Sequence, residues 1–109
     1  QKAIARHEIM CTLDDVICSA SKLLRYGGKL SMVHRPDRLS DIISTMRKYR
    51  QEPKRIRFIH SKKEDEATLV LIESTLGGGS FLKVMPPLVI YDEAGGYTEE
   101  YERIYRYER

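Results

Sequence analysis

An α/β fold, with a parallel pair of strands, one antiparallel strand and flanking helices, is predicted by three features of this 109-residue sequence. Two apolar stripes of helical period alternate with short runs of strand character. The second stripe lies between two of those runs, so the strands it joins are parallel and the crossover is right-handed. The connector to the next run, Ser61 to Glu66, is too short to hold a crossover helix, so that strand returns antiparallel beside its predecessor.

In chain order, Thr12 caps a first helix, and Asp15 occupies the capping-box position as a shorter substitute for Glu. Leu13, Val16, Ile17, Ala20, Leu23 and Leu24 form its stripe, and Gly27-Gly28 supply the left-handed residue that ends it. Lys29 to His34 is the first strand, with Leu30, Met32 and His34 on one side. Pro36 opens a second helix, where a missing N–H is harmless, and Leu39, Ile42, Ile43, Met46 and Tyr49 line one face. Pro53 falls beyond that helix, and the second strand is placed at Ile56 to His60. Ala67 to Ser74 is the third, its continuous Leu69-Val70-Leu71-Ile72 implying burial on both faces. A turn at Gly77-Gly78-Gly79-Ser80 leads into Phe81 to Val84, and Pro86-Pro87 interrupts pairing before Leu88-Val89-Ile90. A short amphipathic helix from Thr98 carries Tyr101, Ile104 and Tyr105 and is read as packed by its rings rather than stacked on bases.

The length bounds the chain to one small domain, residues 1–109, in which residues 1–11 are an N-terminal segment read as extended or exchanged with another copy. No apolar run is long enough to span a bilayer, and Gln1-Lys2-Ala3 does not begin a signal peptide. Cys11 and Cys18 lie two helical turns apart, about 10 Å along an axis, too far for a disulfide. With His7 they also lack the pairing of a zinc site. They read as core cysteines of a cytoplasmic protein. Charge is uneven: residues 35–63 hold ten basic and three acidic side chains, while residues 64–109 hold four basic and ten acidic. The basic middle suits phosphate, although charge runs of this kind are as often solvated faces.

A resemblance goes further than topology. Ala5-Arg6-His7-Glu8-Ile9, Leu23-Leu24 into Gly27-Gly28-Lys29, Val33-His34-Arg35-Pro36, Asp41-Ile42-Ile43, Met46-Arg47-Lys48-Tyr49, Glu52-Pro53-Lys54-Arg55 and Pro86-Pro87-Leu88-Val89-Ile90-Tyr91 stand as consecutive landmarks. Together they resemble the C-terminal half of bacterial tRNA(Val) adenine N6-methyltransferase-like proteins, the YabB-like branch of the class I S-adenosylmethionine-dependent methyltransferases. The resemblance implies the C-terminal part of a Rossmann-like sheet. It implies a cofactor, S-adenosylmethionine, held upstream by a glycine-rich turn and an acidic residue, and an Asn-Pro-Pro-Tyr motif that positions the adenine amine. Neither motif occurs here. Met85-Pro86-Pro87-Leu88 keeps the diproline but has no amide to accept from the amine and no ring to stack, and Gly77-Gly78-Gly79 leads to no helix.

Candidate substrate-binding residues remain. His34 and Arg35 follow the first parallel strand and Arg38 lies on the next turn, at the end of the sheet where such folds bind ligands. Their competing role is structural, His34 capping the strand and the arginines pairing with Asp37 or Asp41. Arg6, His7 and Glu8 resemble the family segment after its catalytic loop, which implies the substrate side. The expected function is therefore that of a C-terminal fragment of an RNA adenine N6-methyltransferase acting on tRNA. Alone it would be inactive, without cofactor or metal, and it would self-associate through the open edge of Lys29 to His34. The alternative is a small stand-alone module that binds nucleic acid or protein.

Overall fold

The computed structural model describes residues 12–108, with side chains through residue 104. The elements run α1 (Leu13–Leu23), β1 (Lys29–His34), a 3-10 turn (Pro36–Arg38), α2 (Leu39–Lys48), β2 (Gln51–His60), β3 (Ala67–Leu76), β4 (Lys83–Val84), β5 (Leu88–Val89) and α3 (Glu99–Glu108). The sheet order is β1-β3-β2-β4, with β5 also against β2. β3 lies between β1 and β2 and runs antiparallel to both, Ile72 standing opposite Met32 on one side and Ile56 on the other. β1 and β2 therefore point the same way, as a crossover through α2 requires. Beyond the expected strands, β4 and β5 add two short parallel pairings to the outer edge of β2.

Helices α1 and α2 cover one face of the sheet. Thr12 closes the expected capping box with Asp15, its hydroxyl accepting from the Asp15 N–H at 3.1 Å and the Asp15 carboxylate accepting in return at 3.2 Å. Ile17, Ile42 and Met46 are buried against Leu30, Met32, Ile56, Val70 and Ile72. This apolar layer is the main source of stability.

Three expectations need correction. Helix α1 ends at Leu23 with an extended Leu24, and Gly27 (φ +84°) instead shapes the turn that follows, where Gly28 N–H donates to Arg25 C=O at 2.8 Å. Strand β2 begins at Gln51 rather than Ile56, and Pro53 sits inside it, next to a register shift between Pro53 and Arg55. Such a bulge is where a strand tolerates a residue without an N–H. Leu69 and Leu71 are 38% and 37% exposed while Val70 and Ile72 are buried, so β3 is buried on one face only among the described residues.

At the amino end of β2 a polar chain crosses the core. Gln51 is fully buried; its amide donates to Ser21 Oγ at 3.0 Å and accepts from Ser74 Oγ at 2.9 Å. Ser21 Oγ in turn donates to Ile17 C=O at 2.7 Å, which joins α1, β2 and β3.

Candidate functional site at the carboxyl ends of the parallel strands

β1 and β2 deliver their carboxyl ends to the same rim of the sheet, and the residues there come from strand ends and the turns after them. His34 closes β1, and its Nδ1 accepts from the Arg35 N–H at 2.8 Å. Arg35 Nε lies 3.3 Å from Asp37, and Arg38 Nε lies 3.1 Å from Asp41. The structural role weighed against the functional one for these arginines is thus present. It does not remove them as anion ligands, because solvent-exposed pairs are weak and a phosphate can displace the carboxylate. Arg6, His7 and Glu8 lie outside the described residues.

Arg38 also borders a shallow groove of about 290 Å³ between the start of α1 and the outer face of α2, with Thr12, Asp14 and Asp41 on its walls. Tyr49 Oη donates to Asp14 at 2.5 Å and Lys48 Nζ lies 2.9 Å away. Hydrogen bonding from Tyr49, then from Lys48, holds the Asp14 carboxyl below the usual carboxylate range; Asp14 in turn raises both Tyr49 and Lys48. A carboxyl lowered in the folded state stabilises the fold above its ordinary value of about 4, and the contribution is lost as pH falls through the lowered value. The parent is therefore expected to lose stability more steeply than Asp14→Asn on acidification below about pH 4. Urea titrations from pH 7 downward check this, and parallel curves would refute it.

At the end of β2, His60 Nδ1 lies 2.8 Å from the Asp65 carbonyl, and Lys62 and Lys63 share a groove of about 260 Å³ with Tyr91 and Thr98. The sequence reading did not place these residues at a site; their position follows from β5, whose two residues carry too little pattern to be read in advance. The Tyr91 and Tyr97 rings stack at 5.5 Å and Tyr97 meets Tyr101 at 4.9 Å, so Tyr101, on the helix read as packed by its rings, does meet a neighbouring ring.

The basic segment is more occupied than its charge suggests. Arg47 pairs with Glu52, and Arg57 with Glu100 of α3. Lys54 Nζ donates to the carbonyls of Gly79 and Ser80 at 2.7 and 2.8 Å, so it fastens the glycine loop. Arg57 Nε donates to the Pro86 carbonyl at 3.0 Å, and Met85 N–H donates to Ile56 C=O at 2.8 Å, which makes the diproline segment a strand connector.

A sheet in which an antiparallel strand is inserted between two co-directional ones, with a helical crossover on one face, defines the class. It is the fold of a predicted O-methyltransferase from Agrobacterium tumefaciens, matched at a TM-score of 0.80 and 24% identity over 88% of this chain and 46% of that one. No family model matches the sequence. The particular similarity is to the tRNA1(Val) (adenine(37)-N6)-methyltransferases of two Porphyromonas gingivalis strains, each 29% identical over 95% of this chain. The resemblance to that group stands, and the chain spans 42% of the length of these relatives.

Such relatives imply S-adenosylmethionine in an intact enzyme, and the glycine loop of this chain is not shaped as the turn that would hold it. The glycine loop has its first residue facing the Tyr26 ring, where an added Cβ on Gly77 would lie 2.4 Å from Cζ, and it continues into β4 rather than a helix. No group of His, Cys, Asp and Glu among the described residues could hold a metal ion. No helix among them is long and apolar enough to cross a membrane.

Proposed function

We propose that this chain is a portion of a tRNA adenine N6-methyltransferase, working in the cytoplasm, and that its part is to complete the sheet and hold RNA. The similarity across 95% of the chain to two enzymes of that name carries the reading. His34, Arg35 and Arg38 then face the substrate, together with Arg6, His7 and Glu8. Arg35 and Arg38 exchange their carboxylate partners for RNA phosphates, a charge-assisted contact that guanidinium groups make well. Cofactor binding and methyl transfer belong to the stretch that the relatives have beyond the length matched here, so residues 1–109 form a single C-terminal unit that is inactive alone. The outer edge of β1, which pairs only with β3 among the described residues, is where that stretch attaches, or where a second copy of the chain docks in its absence.

The test supplies labelled S-adenosylmethionine and an unmodified tRNA(Val) transcript to the chain, alone and with the remaining stretch of a relative. N6-methyladenine is expected only in the supplemented reaction, with Arg35→Ala/Arg38→Ala raising the KM for tRNA. Its absence from the supplemented reaction overturns the reading, and methylation by the chain alone overturns the division of labour.

A further inference from the structure

We propose that Phe81, flanked by Lys83 and Arg55, is a contact for single-stranded RNA at the opposite end of the sheet, the ring stacking on a base and the cations taking the neighbouring phosphates. This rests on the tRNA reading above and adds to it a second contact remote from the His34 rim.

Phe81 is 89% exposed, more than any other large apolar side chain described. Its backbone is also strained, with φ +86°, a region that favours glycine and is an outlier for a bulky residue. A glycine there would relieve the backbone and remove an apolar ring from water. The fold instead keeps the ring and braces the backbone on either side of it. Lys54 clamps the two preceding carbonyls, Gly78 N–H donates to Thr75 C=O at 3.1 Å, and two residues later the chain is already paired with β2. A strained, braced, exposed aromatic ring is a display rather than a packing element.

Its surroundings select the partner. Lys83 stands in register with Arg55 on the adjacent strand, so the two side chains share a face. Neither forms an ion pair among the described residues; Arg55 donates to Met85 Sδ at 3.9 Å and stands across the ladder from Glu73 of β3. The exposed Arg50 lies at the same end, its carbonyl accepting from the Gly77 N–H at 2.8 Å. A single protruding ring two residues from Lys83, with Arg55 on the adjacent strand, suits a nucleotide, because every base has a face to stack on and its phosphates are anionic. The Tyr91–Tyr97 stack is the poorer platform, since its rings already cover each other and Asp92 and Glu93 lie beside it.

Phe81→Gly separates display from packing. Anisotropy of a labelled oligouridylate and of the tRNA(Val) transcript, read on the full chain at several salt concentrations, is the measurement. Phe81→Gly is expected to weaken binding roughly 5- to 100-fold with an unchanged salt slope, while its melting temperature stays level or rises. Phe81→Tyr keeps the affinity. Lys83→Gln with Arg55→Gln instead lowers the salt slope, by about 1 to 2. Parent-like affinity in Phe81→Gly overturns the proposal and leaves the tRNA reading intact if the supplemented parent still methylates tRNA. If Phe81→Gly leaves RNA binding unchanged but dissociates a self-associated species, the ring is a protein contact and the proposal falls. If the supplemented parent neither binds nor methylates tRNA, both readings fall together.

Discussion

Gln51→Leu is expected to destabilise the fold by about 2 to 4 kcal/mol, although leucine is apolar and similar in size. The side chain is fully buried, and its amide stands between Ser21 and Ser74. Leucine would leave the amide's former partners without it in a region where no described buried side-chain polar atom now lacks a partner. Ser74 keeps only a long contact of 3.4 Å to the Leu30 carbonyl. The cost of an unpaired buried group exceeds the net value of the hydrogen bond it loses. For the same reason, Gln51→Leu/Ser74→Ala should be less destabilised than the sum of its single variants. A coupling of about 0.5 to 3 kcal/mol is expected from urea unfolding with unchanged m-values. A Gln51→Leu chain within about 0.5 kcal/mol of the parent would show the network to be dispensable.

Gln51 also marks where sequence reading ran out. The helices, their capping box and the crossover were legible because each rests on local periodicity and on side chains three or four residues apart. The start of β2 was not: Glu52 and Pro53 are poor strand formers, and only the bulge before Arg55 accommodates the proline. Burial of Leu69 to Ile72 was misread because a continuous apolar run does not say how many faces are covered. That depends on the layers around β3, and the helices that pack on its core, α1 and α2, lie on one side.

The candidate rim was legible in part. The strand-end rule placed His34, Arg35 and Arg38, and the nearby Asp37 and Asp41 announced the ion pairs they make. The basic segment was less transparent. Lys54 reads as a free cation until the fold brings the carbonyls of Gly79 and Ser80, some 25 residues away, to its ammonium group. A charge-reversal there would unfasten the loop as well as change the surface charge, so Lys83 and Arg55 are the cleaner probes of the proposed RNA contact. Phe81 was hidden for the converse reason: its place just after a glycine turn says nothing of its environment, and only its backbone angle and exposure reveal the projecting ring.

Ile72→Ala and Leu71→Ala, neighbours on the central strand, should differ several-fold in their cost. Ile72 is fully buried between Met32 and Ile56, beneath the layer of Ile17, Ile42 and Met46. Removing its outer carbons loses their transfer energy and opens a cavity that the strand on either side, fixed by its ladder of hydrogen bonds, cannot close. About 2 to 5 kcal/mol is expected. Leu71 stands opposite Val33 and Arg57 on the other face, where Val33 is itself 54% exposed. Truncation there removes contacts already shared with water and leaves no enclosed void, so about 1 kcal/mol or less is expected. Thermal or urea unfolding of the two variants in the same buffer decides the matter. Equal losses would mean that the second face of the sheet is covered as fully as the first. In that case Leu71, Leu69 and Val33 would be covered within this chain and would offer no apolar face to a further segment or partner.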